Sequence, residues 1–308
     1  MPLVVIFMGA GASITAGMPL GDQLRNKALE RATGNPVDAG TFVSVASDWY
    51  AHLLGTGELS PEEQVAGIEM FVRDLTLERV LQQEQSEENQ TFSATLRGFA
   101  ETHAAVKARV LEQLDPDVDT LARICAARRR LVLLTVNFDQ IIEARGGDNV
   151  RPFITEAEML EFPEYLEQYA KHGGPVPLVK LHGDIDHPET LVANLQQTTA
   201  GLSVARDAAL MALVSSIASQ PTHPWIYVGY SMRDRDLEQA WAAPRMATFN
   251  EHWVSPFLDP VVARFIETKR ALTWQRNGRA QSPMDRLISL TAEDFYLHFY
   301  EHVVGAWD

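Results

Sequence analysis

A chain of 308 residues with 26 basic and 41 acidic side chains carries a formal charge of −15 at pH 7. That balance speaks against nucleic acid or an anionic membrane as a direct partner, because phosphate contacts need a basic surface, and the short run Arg128-Arg129-Arg130 reads as a solvated helix end. The single cysteine, Cys125, rules out a disulfide or a four-cysteine zinc site within one chain; with no signal-peptide pattern at the amino terminus and no apolar run of membrane-spanning length, the expected setting is the cytoplasm.

Taken in order, Leu3-Val-Val-Ile-Phe-Met8 is an apolar run bounded by glycine, which predicts a strand buried on both faces and hence a parallel sheet. Gly9-Ala10-Gly11-Ala12-Ser13 follows. Its glycines let the backbone turn sharply and approach a ligand, and Ser13 is expected at the start of a short helical turn whose N–H groups attract phosphate. Ile14 stands where the dinucleotide-binding fingerprint has its third glycine. Gly17 suits a left-handed turn end and Pro19 the first position of the next helix. Leu20 to Ala32 places Leu24, Ala28 and Leu29 on one helical face, and Thr33-Gly34-Asn35-Pro36 stops it.

From Thr41 to Leu114 the pattern is helical, with breaks at Gly55-Thr56-Gly57 and near Gln85 to Asn89, and a capped start at Ser60-Pro61-Glu62-Glu63. Residues 41–114 therefore read as an all-helical insertion within one α/β domain spanning 1–308. Strands resume at Leu131 to Leu134, after a helix from Asp119 to Arg130. They recur at Leu178 to Leu181, Leu191 to Ala193, Trp225 to Val228, His252 to Val254 and Leu287 to Leu290, with helices notably over Arg206 to Ser219 and Ala292 to Val304. The alternation predicts a Rossmann-like parallel sheet with helices on both faces.

Three strand ends carry polar residues that a packed core does not require: Thr135-Val-Asn137-Phe-Asp139, His182-Gly183-Asp184, and Gly229-Tyr230-Ser231-Met-Arg-Asp234-Arg-Asp236. Each has a plainer reading. Asn137 and Asp139 also suit a helix cap, His182 a hydrogen-bonded structural role, Gly229 and Ser231 a turn, and the two aspartates the next helix. Ligands of open parallel sheets bind beyond the carboxyl ends of the strands, so these ends and Gly9 to Ser13 converge on one crevice. One site explains four such ends better than four separate turns.

With Gly17-Met-Pro19 and Lys180-Leu-His182-Gly183 added, these ordered motifs resemble sirtuin-type domains, and most resemble the bacterial sirtuin-like NAD hydrolases of anti-phage defence, of the kind in Thoeris effectors. The resemblance runs from Leu3 to the final strand and helix, the variable helical part excepted. It implies that Gly9, Ala10, Gly11 and Ser13 hold the pyrophosphate and neighbouring ribose. It likewise implies that Asn137 and Asp139 sit by the nicotinamide ribose and that His182 acts on a ribose hydroxyl or a water. Gly229, Tyr230, Ser231 and Asp234 would form the other binding loop, with Gly229 and Ser231 at the adenosine ribose or phosphates. Cleaving the glycosidic bond leaves an oxocarbenium-like sugar, which calls for an oriented amide, a carboxylate and a base with a pKa near neutrality. Asn137, Asp139 and His182 supply these three groups.

The departures narrow the reaction. Protein deacylases of this family carry a four-cysteine zinc module after the His-Gly pair, whereas the one cysteine here precedes it. Leu20-Gly21-Asp22 stands where their phenylalanine-arginine pair is expected, and Val136 replaces the glutamine before the asparagine. The expectation is an NAD glycohydrolase using water as acceptor, yielding nicotinamide and linear or cyclic ADP-ribose as a toxic effector of anti-phage defence. The alternatives are a non-catalytic NAD or ADP-ribose sensor regulating a partner, and an atypical ADP-ribosyltransferase or deacylase.

No catalytic or structural metal is expected, although His182, Asp184, Asp186 and His187 form a cluster with metal-ligand character. An NAD hydrolase needs control, for which a homo-oligomer and a separately encoded ATPase or sensor are the expected means. Phe71, Val72 or Leu75 would line the contact while Met70, Leu77 and Leu81 pack inward.

Overall fold

Alternate side chains of the first strand part to two different cores, which is how the sheet comes to be covered on both faces. Val5 and Phe7 of β1 (Val4–Met8) enter one buried cluster, and Val4, Ile6 and Met8 enter the other. The computed structural model describes residues 3–54, 67, 75–88, 93–218, 224–234, 236–237, 250–270 and 283–307. The remaining strands are β2 (Leu131–Thr135), β3 (Val150–Phe153), β4 (Val176–Lys180), β5 (Pro224–Val228), β6 (Asn250–Val254) and β7 (Leu287–Ile288). All pair in parallel, in the order β3-β4-β2-β1-β5-β6-β7. This is the α/β, Rossmann-like sheet that the strand-helix alternation predicts.

The described helices are α1 (Gly21–Thr33), α2 (Phe42–Leu54), α3 (Leu77–Glu88), α4 (Ala94–Gln113), α5 (Thr120–Ala126), α6 (Ile141–Gly146), α7 (Glu156–His172), α8 (Leu195–Ala200), α9 (Val204–Ala218), α10 (Pro260–Phe265) and α11 (Ala292–His302). Phe162 and Leu166 of α7 with Leu210 and Leu213 of α9 close the first core. Leu121, Ile124 and Cys125 of α5 with Phe295, Tyr296 and Phe299 of α11 close the second. Cys125 is fully buried, and burial pushes its thiol pKa up to about 12, so it is a packing residue and not a nucleophile.

The chain divides into two compact units. The first, Met1–Met18, His103–Val192 and Thr199–Asp308, holds the sheet. The second is Pro19–Thr102 with Ala193–Thr198. Its core joins Ala28 and Leu29 of α1, Val45, Ala46 and Trp49 of α2, and Leu75 and Val80, with Arg25 lying 4.1 Å over the Phe42 ring. All regular structure among the described residues of 41–114 is helical. Gly34 ends α1 in a left-handed conformation, as its place in the sequence predicts. No helix among the described residues is long and apolar enough to cross a membrane.

Several sequence expectations need correction. Leu191 to Ala193 is not a strand; Val192 N–H is tied to the His182 carbonyl at 2.9 Å, in an extended loop that belongs to no ladder. The seventh strand is instead β3, hidden in the sequence by Arg151 and Pro152, which an edge strand tolerates. The Arg128 to Arg130 run is no helix end. α5 stops at Ala126, and Arg128 and Arg130 take φ of 48° and 59° in the reversal into β2. Pro19 lies before the cap of α1 rather than at its first position, and Ser13 closes a 3-10 turn (Ala10–Ala12) rather than opening one. Leu75 is buried in the helical core, which removes it as a contact for a second chain. Ser60 to Glu63, Met70, Phe71 and Val72 lie outside the described residues.

Candidate active site at the strand ends

Register decides where the polar loops emerge. Met8 pairs with Thr135 on one side and with Val228 on the other, and Thr135 pairs with Lys180. The carboxyl ends of β1, β2, β4 and β5 are therefore level. The sheet grows from β1 toward β2 on one side and toward β5 on the other, which makes the β1–β5 boundary its topological switch point.

The four loops are linked in a closed circuit. Between the first two, Asn137 Nδ2 donates to the Gly9 carbonyl at 3.0 Å and to Ser13 Oγ at 3.3 Å, while Ser13 Oγ donates to Asp139 Oδ1 at 3.1 Å. Thr135 Oγ1 donates to the Met8 carbonyl and accepts from the Asn137 amide, both at 3.0 Å. The second and third loops are joined by Lys180. This fully buried ammonium donates to the Asp139 carbonyl at 2.5 Å and to Glu143 Oε1 at 2.9 Å, and it lies 2.7 Å from Asp184 Oδ2. Gln140 Nε2 donates to the other Asp184 oxygen at 2.8 Å.

His182 joins the third loop to the fourth. Its Nε2 lies 2.9 Å from Asp236 Oδ2, and its Nδ1 lies 3.6 Å from Asp234 Oδ1. A carboxylate only accepts, so a ring proton on Nε2 points at Asp236, while Nδ1 faces the Asp234 carboxylate. Asp236 Oδ1 is buried with no hydrogen-bond partner among the described residues. The same three side chains have the donor set of a divalent-metal site, one ligand atom from each lying within 4.8 Å of the others.

Backbone contact closes the circuit. A Cβ on Gly11 would meet Gly229 Cα at 2.8 Å, and one on Gly9 would meet the Gly229 carbonyl oxygen at 2.6 Å. These glycines are thus required by loop-on-loop packing before any ligand arrives. The amides of Gly9, Gly11, Ala12 and Ser13 are already bonded to protein carbonyls, which leaves Ala10 N–H as the loop amide with no acceptor among the described residues. Gly11→Val is accordingly expected to cost about 1–3 kcal/mol by overpacking, read as a lower melting temperature without ligand. An unchanged melting temperature would show that the two loops do not pack this way.

The electrostatics of the Lys180 cluster follow from its charge count. One ammonium faces two carboxylates, and their attraction outweighs burial to hold the Lys180 pKa above its ordinary value. Burial then pushes the Glu143 pKa up, since one carboxylate is surplus. His103, whose Nε2 accepts from the Gln140 amide at 3.1 Å, is pushed down by burial and so kept neutral.

Of the sequence-predicted residues, Ser13, Asn137, Asp139 and His182 are all buried and held by these bonds. Ala10, Gly11, Gly229, Ser231 and Asp234 are partly exposed at the loop edges. The Tyr230 ring packs in the first core, 4.5 Å from that of Phe7, so it supports the loop from below. The suggested cluster of His182, Asp184, Asp186 and His187 does not form. Asp184 pairs with Lys180, Asp186 lies 3.4 Å from Lys107, and His187 lies 3.6 Å from Glu189.

Sequence reasoning assigned no role to Lys180 or Glu143 and left Asp236 to the next helix. A lysine inside the apolar run Leu178 to Leu181 was the available signal, because a buried ammonium needs partners.

A family model described as SIR2-like domain matches residues 131–297, from β2 into α11, and takes in the loops bearing Asn137, His182 and Asp234. A search of curated proteins finds no match.

Proposed function

Because the chain belongs to the SIR2-like domain family, whose members in general use NAD, we propose that it is an NAD glycohydrolase, with water as the acceptor. The observation that carries this reading is that an oriented amide and a carboxylate, Asn137 and Asp139, and an aspartate-held imidazole, His182, stand beyond the level carboxyl ends of the neighbouring strands β2 and β4, tied to the loops of β1 and β5 on either side of the switch point. The bond between the ribose anomeric carbon and the nicotinamide nitrogen breaks, its electron pair leaving with nicotinamide. Water bonds to the anomeric carbon and gives up one proton. In this reading Asp139 stabilises the positive sugar, Asn137 fixes the amide geometry, and His182 Nδ1 takes the proton.

Ala10 N–H and the Gly11, Gly229 and Ser231 edge would face the phosphates and the adenosine ribose. An NAD-depleting role in anti-phage defence, a homo-oligomeric working state and control by a separately encoded ATPase or sensor belong to the same proposal. A sensing module that binds NAD or ADP-ribose without turnover is the second reading. It is favoured by the burial of Asn137, Asp139 and His182, whose polar atoms are taken up by protein partners: Asn137 by the Gly9 carbonyl and Ser13, Asp139 by Ser13, and His182 by Asp236.

The reaction class is tested by incubating the protein with NAD and an acetyl-lysine peptide and weighing the products. Nicotinamide and ADP-ribose, linear or cyclic, are expected in equal amounts with the peptide unchanged and with no effect of EDTA. Acetylated ADP-ribose would assign acyl transfer instead, and loss of activity to EDTA would turn the His182, Asp234 and Asp236 set into a metal centre.

A further inference from the structure

We propose that His298, Glu301 and His302 form an open site for a divalent transition-metal ion, of the Zn²⁺, Ni²⁺ or Cu²⁺ class, on the outer face of α11. His298 and His302 are four residues apart, so they rise from one helical face. Their rings lie nearly parallel at 13°, with centroids 5.9 Å apart. One ligand atom from each of the three residues lies within 4.8 Å of the others, close enough for a single ion to gather them by rotamer adjustment. Two imidazoles and a carboxylate are the donors that zinc, nickel and copper favour, whereas magnesium and manganese prefer oxygen.

Three further observations support the site. All three side chains are exposed, and none has an ion pair or hydrogen bond with another described residue, so no internal contact must be broken. The opposite face of the helix is fixed, with Phe295, Tyr296 and Phe299 buried in the second core, so the ligands stand on a rigid support. His302 ends the helix, where the unpaired carbonyls carry partial negative charge and favour a cation. Three protein ligands leave at least one coordination position for water or for a group from another molecule. The inference rests on this geometry and is independent of the proposed reaction.

The test is calorimetric titration of the chelator-treated, dialysed protein with ZnCl₂, NiCl₂ and CuCl₂, with MgCl₂ as control. One ion per chain is expected, copper tightest and magnesium undetected, and the Cu²⁺ complex should show nitrogen coupling in its electron paramagnetic resonance spectrum. The double variant His298→Ala/His302→Ala, whose circular dichroism should match the parent, is expected to lose that ion. Glu301→Gln should weaken it. Absence of a stoichiometric site in the parent, or an unchanged isotherm in the folded double variant, would overturn the assignment.

Discussion

His182→Gln is expected to lower nicotinamide release by about 10²–10⁴-fold, the loss typical of a catalytic acid–base group, while melting close to the parent. The choice of glutamine follows from the structure. Asp236 is buried and takes its hydrogen bond from the His182 ring at 2.9 Å. Alanine would strip that carboxylate of its donor and confound lost chemistry with lost stability. Glutamine retains an N–H donor toward Asp236 and removes the ionisable nitrogen. Asn137 is similarly engaged, since its amide holds the Gly9 carbonyl and Ser13. Asn137→Ala therefore also loosens the first loop. Release by His182→Gln at the parent rate would remove His182 from the chemistry.

Lys180→Met is expected to be the most destabilising single change at the strand ends, at about 3–5 kcal/mol, because it leaves buried carboxylates without their cation. Glu143 and Asp184 would lose their shared partner, and the Asp139 carbonyl would lose its donor. Denaturant titration reads the loss as a lower midpoint at an unchanged slope. Adding Glu143→Gln should restore part of it by removing one of the stranded charges.

The pH dependence has a definite sign. The folded state holds the Glu143 proton more tightly than the unfolded chain does, so this residue's contribution to stability declines as pH rises from about 4.5 through its raised value. Lys180 has the same sign in a higher range: its folded pKa is raised, so its contribution is present below the ordinary lysine value of about 10.5 and is lost only as pH rises through the higher one. A Lys180→Met protein as stable as the parent would mean that the cluster does not tie the second loop to the third.

The sheet was legible because β1, β2 and β5 at its centre are almost wholly apolar runs, which a doubly covered parallel sheet requires. β3 was not legible, since Val150-Arg-Pro-Phe153 lacks both alternation and an apolar run; Arg151 is accommodated by stacking on Tyr165 at 4.4 Å, a contact no local pattern reveals. Leu191 to Ala193 misled for the converse reason. Leu191 and Ala193 are buried although no ladder holds them, and the loop just before them packs on Gly183, where a Cβ would meet the Thr190 carbonyl oxygen at 2.3 Å.

At the site, position after a strand revealed Asn137, Asp139 and His182, because parallel sheets place ligands there. The partners of those residues were not legible. Asp236 meets His182 across 54 positions and Lys180 meets Glu143 across 37, separations set by the tertiary fold and not by spacing. The glycine loop shows the same limit in another form. Its glycines were read as room for a diphosphate, and the structure gives them a prior duty against Gly229.

The central claim is turnover of NAD at these strand ends, and free nicotinamide is its most direct readout. Purified protein should be incubated with NAD, alone and with candidate activating partners, while nicotinamide is quantified against time and NAD binding is followed by titration in the same preparation. The account predicts nicotinamide in molar excess over protein, lost in His182→Gln. NAD binding with no nicotinamide under any of these conditions would contradict it and leave the chain as a sensor.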